Sequence, residues 1–289
     1  MNKCSQKLRH LFSQPGLVIA PGAGTPIEVL LAQDAGFAVA YLGGYAIASS
    51  RYGLPDIGLL GLNEVVEAVR TVRDVAEIPL IVDCDTAYGD VANVKRLVAQ
   101  MEIMGVAGIQ IEDQLAPKKC GHMPGTAVEP REVAVRKVRA AVAARGESAM
   151  LIIARTDARL SLGLDEALIR ARLFMDAGAD MIFVSGLTTI EEMKTICDAG
   201  IGPQMVAMTE TGVSPLLSAD ELREIGFKFV VWPSAALRIA VHQISIFFAE
   251  LRSTGDSRSW LNRMASLKET NSLLGLERVL SFENCVAEK

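Results

Sequence analysis

The run Lys118-Lys119-Cys120-Gly121-His122 sets one thiol among two ammonium groups, a glycine and an imidazole. Positive charge nearby favours the thiolate, so this cysteine loses its proton more easily than an isolated one. A structural cysteine is a small buried hydrophobe, usually flanked by apolar residues. The surroundings of Cys120 are polar, which points to a working thiol. Gly121 lets the segment bend and close. A few residues earlier, Ile111-Glu112-Asp113 ends an apolar run in two acids.

A second acidic pair lies upstream in Asp83-Cys84-Asp85. A spacing of two puts both side chains on one face of a strand. With Glu112 from a following strand, three carboxylates converge. They cannot crowd together ionised without a cation. Oxygen ligands in this number suit Mg²⁺ or Mn²⁺, with water filling the octahedron. The structural alternative is that one or two of these acids cap the next helix. Arg155, in Arg155-Thr156-Asp157, has a planar fork that suits a substrate carboxylate; its structural alternative is an ion pair with Glu112 or Asp113. Tyr41 and Tyr45 flank Gly43-Gly44 and can donate to a developing oxyanion, or serve as ordinary strand aromatics. Together these groups imply a small substrate with several carboxylates. A metal would polarise a carboxylate and a neighbouring hydroxyl or keto oxygen. A thiol on a closing loop would supply a proton to a departing carbon.

These residues need a frame that brings them together. Apolar runs recur at Leu17–Ala23, Ala38–Gly43, Leu80–Asp85, Gly108–Asp113, Leu151–Asp157, Met181–Ser185, Met205–Thr209 and Phe227–Trp232. Each reads as a strand. The segments between them carry helical periodicity, as in Leu62–Val75, Val91–Met104, Arg131–Ala144 and Asp165–Ala177. Asn63 is placed to cap the first of these helices, and Ser218 with Glu221 forms a capping box. Gly36, Gly105, Gly178, Gly200 and Gly226 stand where helices end before a strand. Eight βα units in 289 residues predict a closed (β/α)8 barrel of the TIM type. The rival is a doubly wound open sheet, whose phosphate loop Pro21-Gly22-Ala23-Gly24 would represent only in part. In a barrel, strand C-terminal ends and the loops beyond them carry the chemistry. All the residues above lie there.

The chain is half apolar and only 5% aromatic, which suits parallel strands covered by helices. Its net charge of −5 argues against a nucleic-acid binder. No segment has the length and apolarity of a membrane span, and Met1–Gln14 lacks the core of a signal peptide. Five widely spaced cysteines form no zinc-ligand pattern, and the chain reads as a protein of the reducing cytoplasm. Residues 1–250 hold the barrel. Residues 251–289 form a helical extension of the same domain, with amphipathic helices expected at Trp260–Leu267 and Leu273–Phe282. Their apolar faces point to packing on a partner subunit.

With these motifs in hand, the chain resembles the isocitrate lyase and phosphoenolpyruvate mutase superfamily. The likeness is to its short branch of 2-methylisocitrate lyase, dimethylmalate lyase, petal death protein and carboxyphosphonoenolpyruvate mutase. It rests on Gly53–Gly58, Val82–Asp85, Ile111–Gln114, Lys118–His122, Ala154–Ala158 and Pro215. The resemblance implies an eighth helix swapped between subunits and a homotetramer built as a dimer of dimers. It implies Mg²⁺ held directly by Asp83, with Asp85 and Glu112 acting largely through water. Asp56, Arg155, Gly43 and Gly44 would surround the keto-acid portion, with Gly121, Ser185 and Ala207 in the substrate wall. Cys120 would be the acid, supported by Lys119 and His122, with Tyr41 beside the breaking bond. Two positions depart from the family pattern: Ser185 replaces a Glu, and Ala207 replaces an Asn. Pro233 follows the lyases, where oxaloacetate hydrolases carry serine.

The expected activity is therefore Mg²⁺-dependent cleavage of a 2-hydroxy di- or tricarboxylate, of the 2-methylisocitrate or 2-alkylmalate type, to an α-keto acid and a second carboxylate. The alternatives are a carboxyphosphonoenolpyruvate mutase-like enzyme and a non-catalytic barrel that binds a metabolite.

Overall fold

A computed structural model describes residues 3–121, 123 and 125–287. Its strands are β1 (Val18–Ala23), β2 (Ala40–Leu42), β3 (Leu80–Asp83), β4 (Gly108–Glu112), β5 (Leu151–Thr156), β6 (Met181–Val184), β7 (Gln204–Ala207) and β8 (Phe229–Trp232). They pair in chain order, all parallel, and β8 closes on β1. The fold is thus the (β/α)8 barrel, and the open-sheet alternative falls. The glycine at position 22 has a packing reason instead. A Cβ there would lie 2.3 Å from the Pro233 carbonyl oxygen, so β1 and the end of β8 meet only because it is absent.

The helices are α1 (Lys3–Ser13), α2 (Pro26–Asp34), α3 (Gly44–Tyr52), α4 (Leu62–Arg73), α5 (Val91–Ile103), α6 (Arg131–Arg145), α7 (Ala158–Leu162), α8 (Leu164–Asp176), α9 (Ile190–Asp198), α10 (Ala219–Ile225), α11 (Ala235–Thr254), α12 (Leu267–Leu273) and α13 (Leu276–Ala287). Their apolar faces pack on the outward strand residues Leu42, Val82, Ile109, Ile152, Ile182, Val206 and Val230. Alternate residues fill the barrel: Val18, Ala20, Tyr41, Ile81, Leu151, Ile153, Met181, Phe183, Met205, Phe229 and Val231. Both strand faces are therefore apolar, which explains the near-continuous hydrophobic runs. α1 plugs the N-terminal end. Its Leu8 is fully buried against the interior, and Phe12 meets Phe229 edge to face at 5.3 Å.

The interior rows continue toward the C-terminal end in steps of two. Ile81 leads to Asp83, Gln110 to Glu112, Ile153 to Arg155, Phe183 to Ser185 and Met205 to Ala207. Register then sets neighbours: Asp83 pairs with Gln110, and Glu112 with Arg155. The polar residues are thus the last layer of the barrel filling.

Two local expectations need correction. The N-cap of α4 is Gly61, whose N–H donates to Glu64 Oε2 at 3.0 Å. Asn63 already lies inside the first turn, where it accepts from Arg96 at 3.2 Å. No α-helix spans Trp260–Leu267. Arg258–Arg263 is a 3-10 turn, and Ser266 caps α12, so the helix starts where the expected one ended. Gly275, at φ 75°, then separates α12 from α13. The Ser218–Glu221 capping box is present, and Gly36, Gly105, Gly178, Gly200 and Gly226 all have positive φ.

α11 departs from the other barrel helices. Only Leu237 is buried in it, while Phe248 is 61% exposed and Ile239, Val241 and Ile244 also face outward. On α13, Phe282 is 71% exposed beside Val279 and Val286.

Candidate active site

The acidic wall begins at β3. Asp83 ends the strand, and its Oδ2 accepts from the Gly44 N–H at the start of α3, at 3.3 Å. Its Oδ1 accepts from Gln110 Nε2 at 3.2 Å, and Gln110 Oε1 accepts from the Tyr41 hydroxyl at 3.0 Å. Burial, then the charge of Asp83, pushes the Tyr41 phenol well above its usual pKa, so Tyr41 stays protonated and donating. Asp85 lies beyond the strand, at φ 47°. A turn, not strand alternation, brings it back beside Asp83, and its N–H donates to Asp83 Oδ1 at 3.3 Å. A non-glycine residue at positive φ is a strained conformation that clusters at functional sites.

Lys118 supplies the cation for this wall. Its Nζ lies 2.5 Å from Asp56 Oδ1 and 2.6 Å from Asp85 Oδ1. Burial alone would lower its pKa, but Asp85 and the neighbouring acids more than offset that and hold it charged. Asp85, raised by burial and lowered by Lys118, is left at about 7. Glu112 is almost completely buried, and burial pushes its carboxyl well above the ordinary value against the pull of Arg155.

Among the described residues no three Asp, Glu, His or Cys side chains group closely enough to hold one ion. The expected convergence of Asp83, Asp85 and Glu112 is therefore not a ready three-ligand site. Lys118 occupies the space at Asp85, and Glu112 leans on Arg155. The donor chemistry still suits a hydrated divalent cation. Both Glu112 oxygens lack a well-aligned hydrogen-bond donor, with Arg155 at 3.1 Å from one of them only as an ion pair. Buried carboxylate oxygens in that condition call for a cation or its waters.

Arg155 has two partners. Its Nε and Nη2 donate to Asp157 at 2.9 and 2.7 Å, and its Nη1 faces Glu112. Its plane also lies over Phe183, 5.3 Å from the ring centroid. Burial opposes the charge, but Asp157 and Glu112 outweigh it and hold the guanidinium ionised. Of the two acids expected as its ion-pair partner, Glu112 is one, but Asp157 joins it, and Asp113 pairs with Arg170 instead.

The loop after β4 brings the thiol. Gln114 clamps it at Lys119: Gln114 Nε2 donates to the Lys119 carbonyl and Oε1 accepts from its N–H, both at 3.0 Å. The Cys120 N–H donates to the Asp56 carbonyl at 3.1 Å, joining this loop to the one after α3. Lys118, Lys119, Cys120 and Gly121 all line one cavity with Tyr41, Gly43, Gly44, Tyr45, Asp56, Asp83, Arg155, Ser185 and Ala207. Its volume is about 250 Å³. His122 lies outside the described residues.

Sequence reasoning missed part of the wall. Lys118 was seen only as a neighbour of the thiol. Gln110 and Asp157 sit on the interior rows, so their positions were readable from strand parity. Arg238 on α11 also lines the cavity, donating to the Glu210 carbonyl at 2.5 Å and to Thr211 Oγ1 at 3.1 Å. Thr211 has φ 64°, and buried Thr209 Oγ1 has no hydrogen-bond partner. No local motif marked these; only the rule that strand ends carry the site would have pointed to them.

Residues 8–252 match the family described as phosphoenolpyruvate phosphomutase. The chain is 37% identical over 278 residues to a 2,3-dimethylmalate lyase of Eubacterium barkeri, covering 96% of each. It is 39% identical over 268 residues to a 2-methylisocitrate lyase of Aeropyrum pernix, covering 93% of this chain and 86% of that one. Among solved structures it superposes on a 2,3-dimethylmalate lyase with a TM-score of 0.94 at 31% identity, covering 99% and 96% of the two chains. A phosphonopyruvate hydrolase solved with oxalate and Mg²⁺ gives 0.88 at 30% identity, covering 97% and 98%.

Gly121 sits where no side chain fits. A Cβ there would lie 2.3 Å from Arg155 Nη2, 2.8 Å from Asp157 Oδ1 and 2.9 Å from Ser185 Oγ. Gly121→Ala should hold the loop off the cavity and lower turnover about 100-fold, the scale of an ångström-level misplacement. Limited proteolysis between Pro117 and Pro130 should speed up in the same variant. Unchanged turnover and cleavage would show that the loop does not work from this position.

Proposed function

The chain belongs to the phosphoenolpyruvate phosphomutase family, and on that premise we propose that it is a Mg²⁺-dependent carbon–carbon lyase. Its substrate would be a 2-hydroxy di- or tricarboxylate of the 2-alkylmalate or 2-methylisocitrate type, split to an α-keto acid and a second carboxylate. One observation carries this reading. A single cavity of about 250 Å³ is lined by Asp83, Arg155, Tyr41 and Cys120, with Asp85 and Glu112 buried beside it. Acids, guanidinium and thiol are the separate parts such a cleavage needs.

Mg²⁺ or Mn²⁺ at Asp83, with Asp85 and Glu112 reached through water, would polarise the substrate's carboxylate and its neighbouring oxygen. The residues of the chain do the rest. Arg155, held charged, binds a substrate carboxylate on the edge that Asp157 and Glu112 leave open. The Gly43-Gly44 backbone and Asp56 border the keto-acid portion. As the bond breaks, the hydroxyl oxygen passes its proton to a carboxylate of the acidic wall and the carbon that bears it becomes a ketone. The electron pair of the broken bond stays on the other fragment as an enediolate-like carboxylate. Cys120 places its thiol proton on that carbon. Protonated Tyr41 donates beside the breaking bond. Lys119, next to Cys120 in the chain, adds positive charge near the thiolate that remains. Ser185 and Ala207 are small residues in the wall and give room for an alkyl branch, which favours a substituted malate.

We also propose that the working form is a homotetramer with α11 packed against a neighbouring subunit. The exposed apolar row of Val241, Ile244 and Phe248, with Ile239 exposed on the opposite side of the same helix, supports it, since outward apolar faces of this kind mark an interface. No helix among the described residues is long and apolar enough to cross a membrane, and none of the five cysteines is in a disulfide.

The activity is read by assaying keto-acid release from 2-alkylmalates and 2-methylisocitrate, with and without EDTA. Release from at least one substrate that EDTA abolishes and Mg²⁺ restores is the expected result. Cys120→Ser should remove turnover and leave the folded protein and its metal binding intact. Full activity in that variant would remove the thiol from the mechanism, and no metal-dependent release from any substrate would sink the lyase reading. Separately, Phe248→Asp should lower the solution mass measured by light scattering; an unchanged mass would place the interface elsewhere.

A further inference from the structure

Behind the active site runs a line of charged side chains that reaches the protein surface. Asp157, which grips Arg155, is itself held by Asp113, whose Oδ1 accepts from the Asp157 N–H at 2.9 Å. Asp113 Oδ2 accepts from Thr156 Oγ1 at 2.7 Å and from Arg170 Nη1 at 3.0 Å. Arg170 stands on α8 and is 3% exposed. Its Nε donates to Glu166 Oε1 at 2.8 Å, one turn back on the same helix. Arg131, at the start of α6, holds Glu166 from outside with both arms of its guanidinium.

We propose that Arg170 is a positioning residue for the reaction: it sets the orientation of Arg155 through Asp113 and the backbone of Asp157. The inference rests on the lyase reading for what Arg155 does, and adds a residue that touches neither substrate nor metal. The physical argument is one of buried charge. Asp113 is 2% exposed, and a buried acceptor that loses a charged donor is left unanswered. Arg170 is its ion-pair partner. As a carboxylate, Asp113 accepts from two successive residues at the end of β5, Thr156 and Asp157. That fixes the backbone at the point where Asp157 turns its side chain back toward Arg155. The Arg155–Asp157 contact is bidentate, so its direction is passed on as an angle as well as a distance. Arg170 in turn cannot swing, because Glu166 holds its Nε while Nη1 faces Asp113. The same line explains why Asp113 follows Glu112 in the sequence: the first acid faces the cavity and the second faces the frame.

A purely structural role would also cost stability, so the test needs a readout that stability does not move. Arg170→Met, Arg170→Lys and Glu166→Gln are compared with the wild type, each also in an Arg155→Lys background. Three quantities are read: kcat/KM on the best substrate, the Kd for oxalate in the presence of Mg²⁺, and the melting temperature. Arg170→Met should lower kcat/KM by about 10- to 100-fold, the scale of a small misplacement of a binding group. Oxalate binding should weaken with it. Arg170→Lys, which keeps the charge at Asp113, should recover most of both. In the Arg155→Lys background, Arg170→Met should cost less than about 3-fold more, because residues acting through one another are not additive. If Arg170→Met does not fold, Glu166→Gln decides, with a smaller loss in the same direction that again vanishes in the Arg155→Lys background. Wild-type kcat/KM and oxalate affinity in these variants would overturn the proposal. So would an undiminished loss in the Arg155→Lys background. If the wild type cleaves none of the substrates, the lyase reading fails, while oxalate affinity still reports whether Arg170 positions Arg155.

Discussion

Everything at the C-terminal end of this barrel follows from burying Asp83, Asp85 and Glu112 together. Carboxylates out of water and close to one another are unfavourable unless positive charge or well-placed donors answer them. The chain answers with Lys118 against Asp85 and Asp56, Arg155 against Glu112, and Gln110 with the Gly44 amide against Asp83. Each answer comes from a different element. The acids thereby tie the loop after β4, the strand β5 and the start of α3 to one point. What remains unanswered is chiefly Glu112, whose two buried oxygens lack a hydrogen-bond donor, and in the proposed reading a hydrated cation answers them.

The loop that carries Cys120 is drawn in by the same charges. Lys118 anchors it electrostatically, and Gln114 holds its backbone at Lys119 from a buried position. Gly121 then lies against Arg155, Asp157 and Ser185, where a Cβ would collide. The Cys120 thiol thereby shares a cavity with Asp56, Asp83 and the Arg155 guanidinium. In the proposed reading the thiol acts there as a proton donor.

The barrel was legible in the sequence because its cause is local and repeated. Eight apolar runs, each followed by a helical period and several by glycine at a helix end, leave few alternatives. The acids, Arg155 and Cys120 were legible because they stand at strand ends or in an unusual run of residue types. Other features depend on contacts that no short window contains. Arg170 meets Asp113 across 57 residues, and Lys118 meets Asp56 across 62. Asp85 seemed to reach the site by strand alternation but arrives through a left-handed turn. Asn63 looked like a cap because it precedes the apolar positions, yet Gly61, two residues earlier, is the N-cap and its N–H is held by Glu64. At the C-terminus the apolar periodicity was real, but Ser266 and Gly275 set different boundaries.

The comparisons fix the family. Ser185 and Ala207 line the same cavity as Arg155, and in the proposed reading they give room for a substituent. The account turns on one physical claim, that the buried acids are the seat of a cation which holds the substrate's oxygens. A crystal structure with Mg²⁺ and pyruvate tests it most directly. The account predicts a metal bound to Asp83 and to pyruvate, with Asp85 and Glu112 reached through water and Arg155 on the pyruvate carboxylate. Pyruvate seated in the cavity with no metal beside Asp83, or a metal bound away from these acids, would contradict it.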